Sequence, residues 1–245
     1  MSKVLLITGG GRGIGAATAR LAVSRGYSVC VNYLKDRDTA EALVKELGGK
    51  AIAVAGDVSV EADVLRLFES CDRAFGKLDA LVNNAALLQP SPIETMTDEH
   101  MLRETLTNFM GPALTAREAI PLLRAAGGGD IVNISSDSVV SPGPHLTFYA
   151  AAKAGLEQLS IGLRQELRGE KIRVTILRSG PVADSELHRG WTPEGRDAFY
   201  DAMRESGALE KFGEAVEPEV MAQTLIHLLC IPRTAIADTV SLRPI

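Results

Sequence analysis

Val4-Leu-Leu-Ile7, then Thr8-Gly-Gly-Gly-Arg-Gly-Ile-Gly15, then an alanine-rich stretch from Ala16 to Ser24: these residues decide the fold. Four consecutive apolar residues bounded by glycine read as a strand buried on both faces, as in parallel sheets. The glycines permit a tight turn and let the main chain come close to a charged ligand. The helix that follows aims its unpaired N–H groups at the loop, where a diphosphate is stabilised. A glycine cluster alone is a common helix-entry turn; strand, glycine loop and helix in that order point to a dinucleotide. Thr8, Gly9, Arg12, Gly13, Ile14 and Gly15 are the candidate contacts.

The alternation continues outward. Ser28 to Asn32 reads as a strand, Thr39 to Leu47 as a helix, Ala51 to Ala55 as a strand and Glu61 to Phe75 as a helix. A strand over Leu78 to Val82 follows, then a long helix from Asp98 to Ala126, broken at Gly111-Pro112 and carrying Asn108. Ile131 to Ile134 is a β-branched apolar run with Ser135 and Ser136 at its end. A helix from near Leu146 to about Arg168, a strand from Lys171 to Leu177 and a last strand at Thr239 to Ile245 complete the series. Such regularity predicts an α/β fold: one doubly wound parallel sheet of about seven strands, helices on both faces, right-handed crossovers. The 245 residues fit one domain, 1–245, with a substrate-loop insertion at about 183–212.

In such a sheet, ligands bind beyond the carboxyl ends of the strands. Ser135 and Ser136 lie there, and Tyr149 and Lys153 stand four apart on the next helix, on one face of it. An ammonium beside a phenol favours the phenolate, so the pair predicts a tyrosine pKa lowered towards neutrality and a general acid/base for a carbonyl or alcohol oxygen. The second strand ends at Asn32-Tyr33 with no carboxylate before Asp36, while Arg12, Lys35 and Arg37 are cations nearby. A 2′-phosphate needs a cation and is repelled by a carboxylate, so the charges favour NADP over NAD. Asp57 and Val58 follow the third strand; Asp57 is a candidate for the adenine amino group or for a helix cap. Asn84 and Ala85 close the fourth strand, and Gly180 and Val182 lie in the loop after Leu177, all as candidate cofactor contacts.

Composition excludes other classes. A net charge of −5 argues against nucleic acid or an anionic membrane as main partner. Cys30, Cys71 and Cys230 are far apart in apolar segments, without metal-ligand spacing, and are expected as buried free thiols with no metal site. Met1-Ser-Lys3 leads into the first strand without room for a signal peptide, and a cytoplasmic protein is expected.

Taken together, Thr8 to Gly15, Asp57, Asn83-Asn-Ala-Ala86, Asn108, Ser136 and Tyr149-x-x-x-Lys153 resemble the short-chain dehydrogenase/reductase family over nearly the whole chain. The resemblance implies that Tyr149 is the acid/base and that Ser136, preferred to Ser135 by its spacing, bonds the substrate oxygen. Lys153 would bind the nicotinamide ribose and lower the tyrosine pKa, and Asn108 would anchor a proton-relaying water. It further implies a homodimer or homotetramer built through the helices of Asn108 and Tyr149. The chain departs from the family at Ala86, where glycine is common, and at Arg178-Ser-Gly-Pro-Val182, where Pro-Gly is usual. The family's threonine near the carboxamide is replaced by the region of Asp184 and Ser185.

The function implied is NADP(H)-dependent interconversion of a small carbonyl and a secondary alcohol. An NAD-linked sugar or polyol dehydrogenase, a 3-oxoacyl reductase docking its acidic carrier at Arg124, Arg168 and Arg173, and a non-enzymatic redox sensor are the alternatives. Three segments, 87–96, 137–148 and 183–212, are expected as substrate walls, the last a mobile lid or a plain flap with Trp191, Phe199 and Tyr200. His145 and His188 lie in these walls.

Overall fold

β1 (Val4–Ile7), β2 (Ser28–Tyr33), β3 (Ala51–Ala55), β4 (Ala80–Asn83), β5 (Gly129–Ser136), β6 (Ile172–Ser179) and β7 (Thr239–Leu242) form one sheet. In this computed structural model the order is β3-β2-β1-β4-β5-β6-β7, and every pairing is parallel. The structure describes residues 2–245 apart from Asp184, Glu186 and Gly213 and the side chains of Arg189, Lys211 and Phe212. The described helices are α1 (Gly13–Ser24), α2 (Arg37–Leu47), α3 (Glu61–Phe75), α4 (Asp98–Thr105), α5 (Gly111–Ala125), α6 (Thr147–Glu166), α7 (Pro193–Glu205), α8 (Ala208–Phe212) and α9 (Pro218–Cys230).

Alternation along β1 shows why its four residues are all apolar. Leu5 and Ile7 join the layer formed with α1, α2 and α9, whereas Val4 and Leu6 join the layer formed with α3, α5 and α6. Both faces are covered, so neither tolerates a polar side chain without a partner. β1 pairs with β2 on one side and β4 on the other. The chain therefore reverses its winding at β1, and a crevice opens beyond the carboxyl ends of β1 and β4.

Three expectations need correction. The long helix does not break at Gly111-Pro112; one turn of π-helix occupies Leu106–Met110, and Gly111 starts α5. Pro112 suits a helix start, where its missing N–H has no bond to make. A Cβ on Gly111 would meet Val58 at 2.9 Å, which fixes glycine there. The fourth strand begins at Ala80 rather than Leu78, because Asp79 still turns in to bond Val4 through main chain and side chain. Cys30 and Cys71 are buried, but Cys230 ends α9 and is exposed.

Asn133 sits inside the apolar run of β5, and its surroundings explain it. Thr115 Oγ1 donates to Asn83 Oδ1 (2.7 Å) and Asn83 Nδ2 to Asn133 Oδ1 (2.8 Å). Asn133 Nδ2 then donates to Ser160 Oγ (2.8 Å), whose hydroxyl donates to Leu156 O (2.7 Å). This chain crosses the interior from α5 through β4 and β5 to α6, and each link is buried. Asn133→Ala leaves Asn83 and Ser160 with broken bonds and is expected to cost at least about 2 kcal/mol in urea unfolding. A loss below about 0.5 kcal/mol would contradict the network's structural role.

Candidate active site

The glycine loop is shaped by close approach. Gly9 has φ +58°, and a Cβ on Gly15 would lie 2.6 Å from Gly10 Cα and 2.7 Å from Gly9 O. Any side chain at Gly15 would push the loop off the helix start. Arg12 caps α1 in extended conformation without a side-chain hydrogen bond to the first turn. A diphosphate fits this cradle, because helix N–H groups lacking a side-chain cap favour an anion. The loop is tied to the end of β4: Thr8 Oγ1 accepts the N–H groups of Asn84 and Ala85, both at 3.0 Å. Asn84 Nδ2 returns bonds to Thr8 O and Gly9 O, both at 2.9 Å. Ile14 packs against the α1 layer, and its carbonyl accepts from Thr18.

The adenosine end differs from the charge reading. Arg12 forms an ion pair with Asp36, so a carboxylate lies beside the cation that the sequence presents alone. Arg37 pairs with Glu41 on α2 instead of facing the loop. The Asn32 amide is committed within the protein, accepting from Gly9 N (3.2 Å) and donating to Gly56 O (2.9 Å). It holds the loops after β1 and β3 together, while Tyr33, half-buried at the end of β2, carries the edge beside them. Asp57 Oδ1 accepts from Ser59 N (2.9 Å) and Ser59 Oγ (2.6 Å), a local turn preceding the helix rather than its cap. Val58 is buried against Gly111.

β5 and α6 bring the remaining residues together. Ser135 turns inward and donates to Glu157 Oε1 (2.7 Å), which also receives Arg178. Ser136 lies beside Tyr149, where its hydroxyl favours the phenolate. Ser138 donates to Ser136 Oγ through its hydroxyl (2.9 Å) and its N–H (3.2 Å), so Ser136 keeps its own proton for another acceptor. Lys153 is buried, donates from Nζ to Ile134 O (2.8 Å), and lies 5.9 Å from the centre of the Tyr149 ring. Burial pushes its pKa down to about 8.

The tyrosine pKa is the principal correction. Burial holds Tyr149 above its ordinary value; Ser136 opposes that, and the charge of Glu104 adds to it. The Lys153 ammonium donates to Ile134 O rather than to the phenol. Tyr149 is therefore a phenol at neutral pH.

Asn108 sits in the π turn with both amide functions on one residue: it accepts from Leu87 N (3.0 Å) and donates to Leu87 O (2.6 Å). Two residues on, Gln89 N donates to Glu104 Oε1 (2.8 Å). Across the cleft, Trp191 Nε1 donates to Leu88 O (2.7 Å), and the indole packs edge-on against Phe199 at 5.3 Å. Leu146, Phe199 and Met203 form a small core with Leu88, Trp191 and Ala208. The three expected walls thus meet, joined also by Ser91 N donating to His145 O (3.1 Å). His188 is exposed against Trp191, and Asp184 lies outside the described residues. After β6, Gly180 N donates to Leu242 O (2.9 Å) and Val182 bridges Val216, which holds the loop despite its departure from Pro-Gly. Among the described residues no cluster of three His, Cys, Asp or Glu side chains is placed to hold a metal ion. No described helix is long and apolar enough to cross a membrane.

A short chain dehydrogenase family model matches residues 3–194. An uncharacterized oxidoreductase of Escherichia coli K12, YgfF, is 36% identical and covers 92% of each chain. The solved 3-ketoacyl-(acyl-carrier-protein) reductase of Brucella melitensis, complexed with NADH, superposes with TM-score 0.84 at 30% identity, over 98% of this chain and 96% of that one. A metagenomic short-chain oxidoreductase in complex with NADP gives TM-score 0.80 at 27% identity, over 99% and 97%. The chain belongs to the short-chain dehydrogenase/reductase family of NAD(P)-dependent oxidoreductases.

Burial of Glu104 makes stability depend on pH. Its carboxyl is pushed up to about 7 by burial, the Gln89 N–H opposing. A carboxyl raised above its unfolded value stabilises fully below that value and loses the contribution as pH rises through the folded one. Stability is therefore expected to fall between about pH 4.5 and 7, and Glu104→Gln to flatten that fall. Thermal unfolding across the range checks it; an equally steep fall in the variant would contradict the assignment.

Proposed function

We propose that this protein is an NADP(H)-dependent oxidoreductase that interconverts a small carbonyl compound and a secondary alcohol by hydride transfer. One observation carries the reading: Ser136, Tyr149 and Lys153 converge at the carboxyl end of β5, beside a glycine cradle fitted to a diphosphate. NADP(H), when bound in this cradle, would supply or accept the hydride. Tyr149 gives its proton to the carbonyl oxygen; a phenol held protonated at neutral pH suits that direction. Ser136, supported by Ser138, donates to the same oxygen and fixes its position. Lys153 would hold the nicotinamide ribose, with Ser179, Gly180 and Val182 bordering that end. Asn108 holds Leu87, so a relaying water would meet its main chain rather than its amide.

Arg12 at the cradle and the lack of a carboxylate directly after β2 support NADP; meeting a 2′-phosphate requires Arg12 to turn from Asp36. Asp36 in that place is the observation that keeps an NAD-linked polyol dehydrogenase as the second reading. The similarity to a 3-ketoacyl reductase supports an acyl carbonyl, yet two proposed carrier-docking arginines are engaged: Arg173 is buried on Asp130 and Arg124 pairs with Glu170. An apolar hollow of about 300 Å³ among Thr105, Phe109, Phe148, Ala151, Ala152 and Gly155 supports assembly as a homodimer or homotetramer through that face. The segment 183–212 is read as a lid within one domain, seated on the cleft by Trp191. A cytoplasmic location accords with the two buried thiols.

Tyr149→Phe is expected to lower carbonyl reduction by about 100-fold or more while NADPH affinity stays nearly unchanged, measured by NADPH oxidation and by fluorescence titration. Undiminished turnover would sink the assignment. In the same titration Arg12→Ala should weaken NADPH more than NADH, and Asp36→Asn should strengthen NADPH. Tighter NADH binding by the unaltered protein would replace NADP with NAD.

A further inference from the structure

Tyr149, Lys153 and Glu157 follow one another at intervals of four on one face of α6, and all three meet the end of β5. Lys153 Nζ donates to Ile134 O (2.8 Å), Glu157 Oε1 accepts from Ser135 Oγ (2.7 Å), and Tyr149 lies beside Ser136. Tyr149 and Lys153 have places in the proposed chemistry; Glu157, 7% exposed, has none. Its carboxylate is gripped from the next strand. Arg178 Nε donates to Oε1 (2.8 Å) and Arg178 Nη2 to Oε2 (2.6 Å), a fork that fixes the plane of the carboxylate. Arg178 stands on β6 opposite Ser135, so one guanidinium refers α6 to both strands. Burial pushes the Glu157 carboxyl up, but the bonds from Arg178 and Ser135 outweigh it and hold the group below its ordinary value.

Stability alone does not account for this arrangement. Apolar side chains of similar volume in place of a buried ion pair often leave a fold as stable, or make it more so. What they do not supply is direction. Ser138 orients the Ser136 hydroxyl, but both belong to one loop and move together. Ser135 is the peptide neighbour of Ser136, and its bond to Glu157 ties that strand end to the helix of Tyr149 and Lys153.

We propose that Arg178 and Glu157 are positioning residues for the reaction: their fork holds Ser135, and through it sets Ser136 where one substrate oxygen meets both Ser136 and Tyr149. The inference rests on the reading of Ser136 and Tyr149 as the groups that bond that oxygen. Arg178 and Glu157 act through Ser135 and not on the reacting atoms. A shift of the serine by about 1 Å is enough to cost a large factor in rate, because the oxygen then bonds one of the two groups well and the other badly. Release of the fork therefore lowers kcat more than it weakens substrate binding.

The test separates position from stability. Arg178→Met leaves a buried carboxylate without its cation and is expected to lower thermal stability and kcat together. Arg178→Met combined with Glu157→Met removes both charges and is expected to restore Tm. In that double variant kcat for carbonyl reduction should stay down by about tenfold or more, with KM within about twofold. Ser135→Ala keeps the ion pair and should show the same fall in kcat at nearly unchanged Tm. Should the double variant not fold, Ser135→Ala carries the comparison. Recovery of kcat along with Tm in the double variant, or full kcat in Ser135→Ala, overturns the proposal. Crystal structures of the unaltered protein and these variants read the position without substrate: Ser136 Oγ is expected to move by about 1 Å against Tyr149. Superposable Ser136 and Tyr149 would refute the clamp. Failure of every carbonyl compound to oxidise NADPH instead refutes the carbonyl reductase reading, and the structural comparison still judges Arg178 and Glu157.

Discussion

Thr8 and Asn84 stand 76 residues apart in sequence, yet their side chains lock the ends of two neighbouring strands together. The threonine hydroxyl receives two N–H groups from the residues just past β4, and the asparagine amide returns two bonds to Thr8 O and Gly9 O. Cradle and cleft share this joint. If it opened, the loop carbonyls and the Asn84 and Ala85 amides would lose their partners at once, in an interior where each unpaired group is costly. Asn83 continues the same strand into the buried polar chain that ends on α6, the helix of Tyr149 and Lys153. The glycine loop and α6 are therefore tied to adjacent residues at one strand end, Asn84 and Asn83.

Burial sets the chemistry of the groups so positioned. Lys153, Tyr149 and Glu104 are withdrawn from water, and each shifts towards its neutral form. The amide of Asn108 and the carboxyl of Glu104 spend their bonds on Leu87 and Gln89, so α4 and the π turn hold the near wall of the cleft. Trp191 holds Leu88 from the far side. The wall from Leu87 to Gln89 is held from α4 and the π turn on one side and from Trp191 on the other.

Periodicity revealed most of the framework because parallel strands buried on both faces leave continuous apolar runs that few other structures produce. The strand over Ala51–Ala55 and the helix over Glu61–Phe75 have the bounds read from the sequence. What stayed hidden depends on contacts far apart in the chain. Glu104 lies among Arg103, Thr105 and Glu99 and reads as a solvated helix position, although the fold buries it. Asn133 in an apolar run was a legible signal, since a lone amide there requires partners, but those partners lie on β4 and α6. The Arg12–Asp36 pair joins two loops whose approach no local pattern encodes. The tyrosine pKa was misread for a related cause: spacing places an ammonium near a phenol, but it reveals neither the burial nor the carbonyl that the ammonium faces.

The central claim is that this site passes a hydride to a carbonyl carbon while Tyr149 supplies the proton. Deuterium transfer tests it most directly: the protein is incubated with NADPH deuterated at the reactive nicotinamide carbon and a panel of small ketones and 3-oxoacyl thioesters. The account predicts deuterium at the carbinol carbon of at least one product, and its near disappearance with Tyr149→Phe. NADPH bound in the cradle with no label in any product, or equal labelling by the variant, would contradict it.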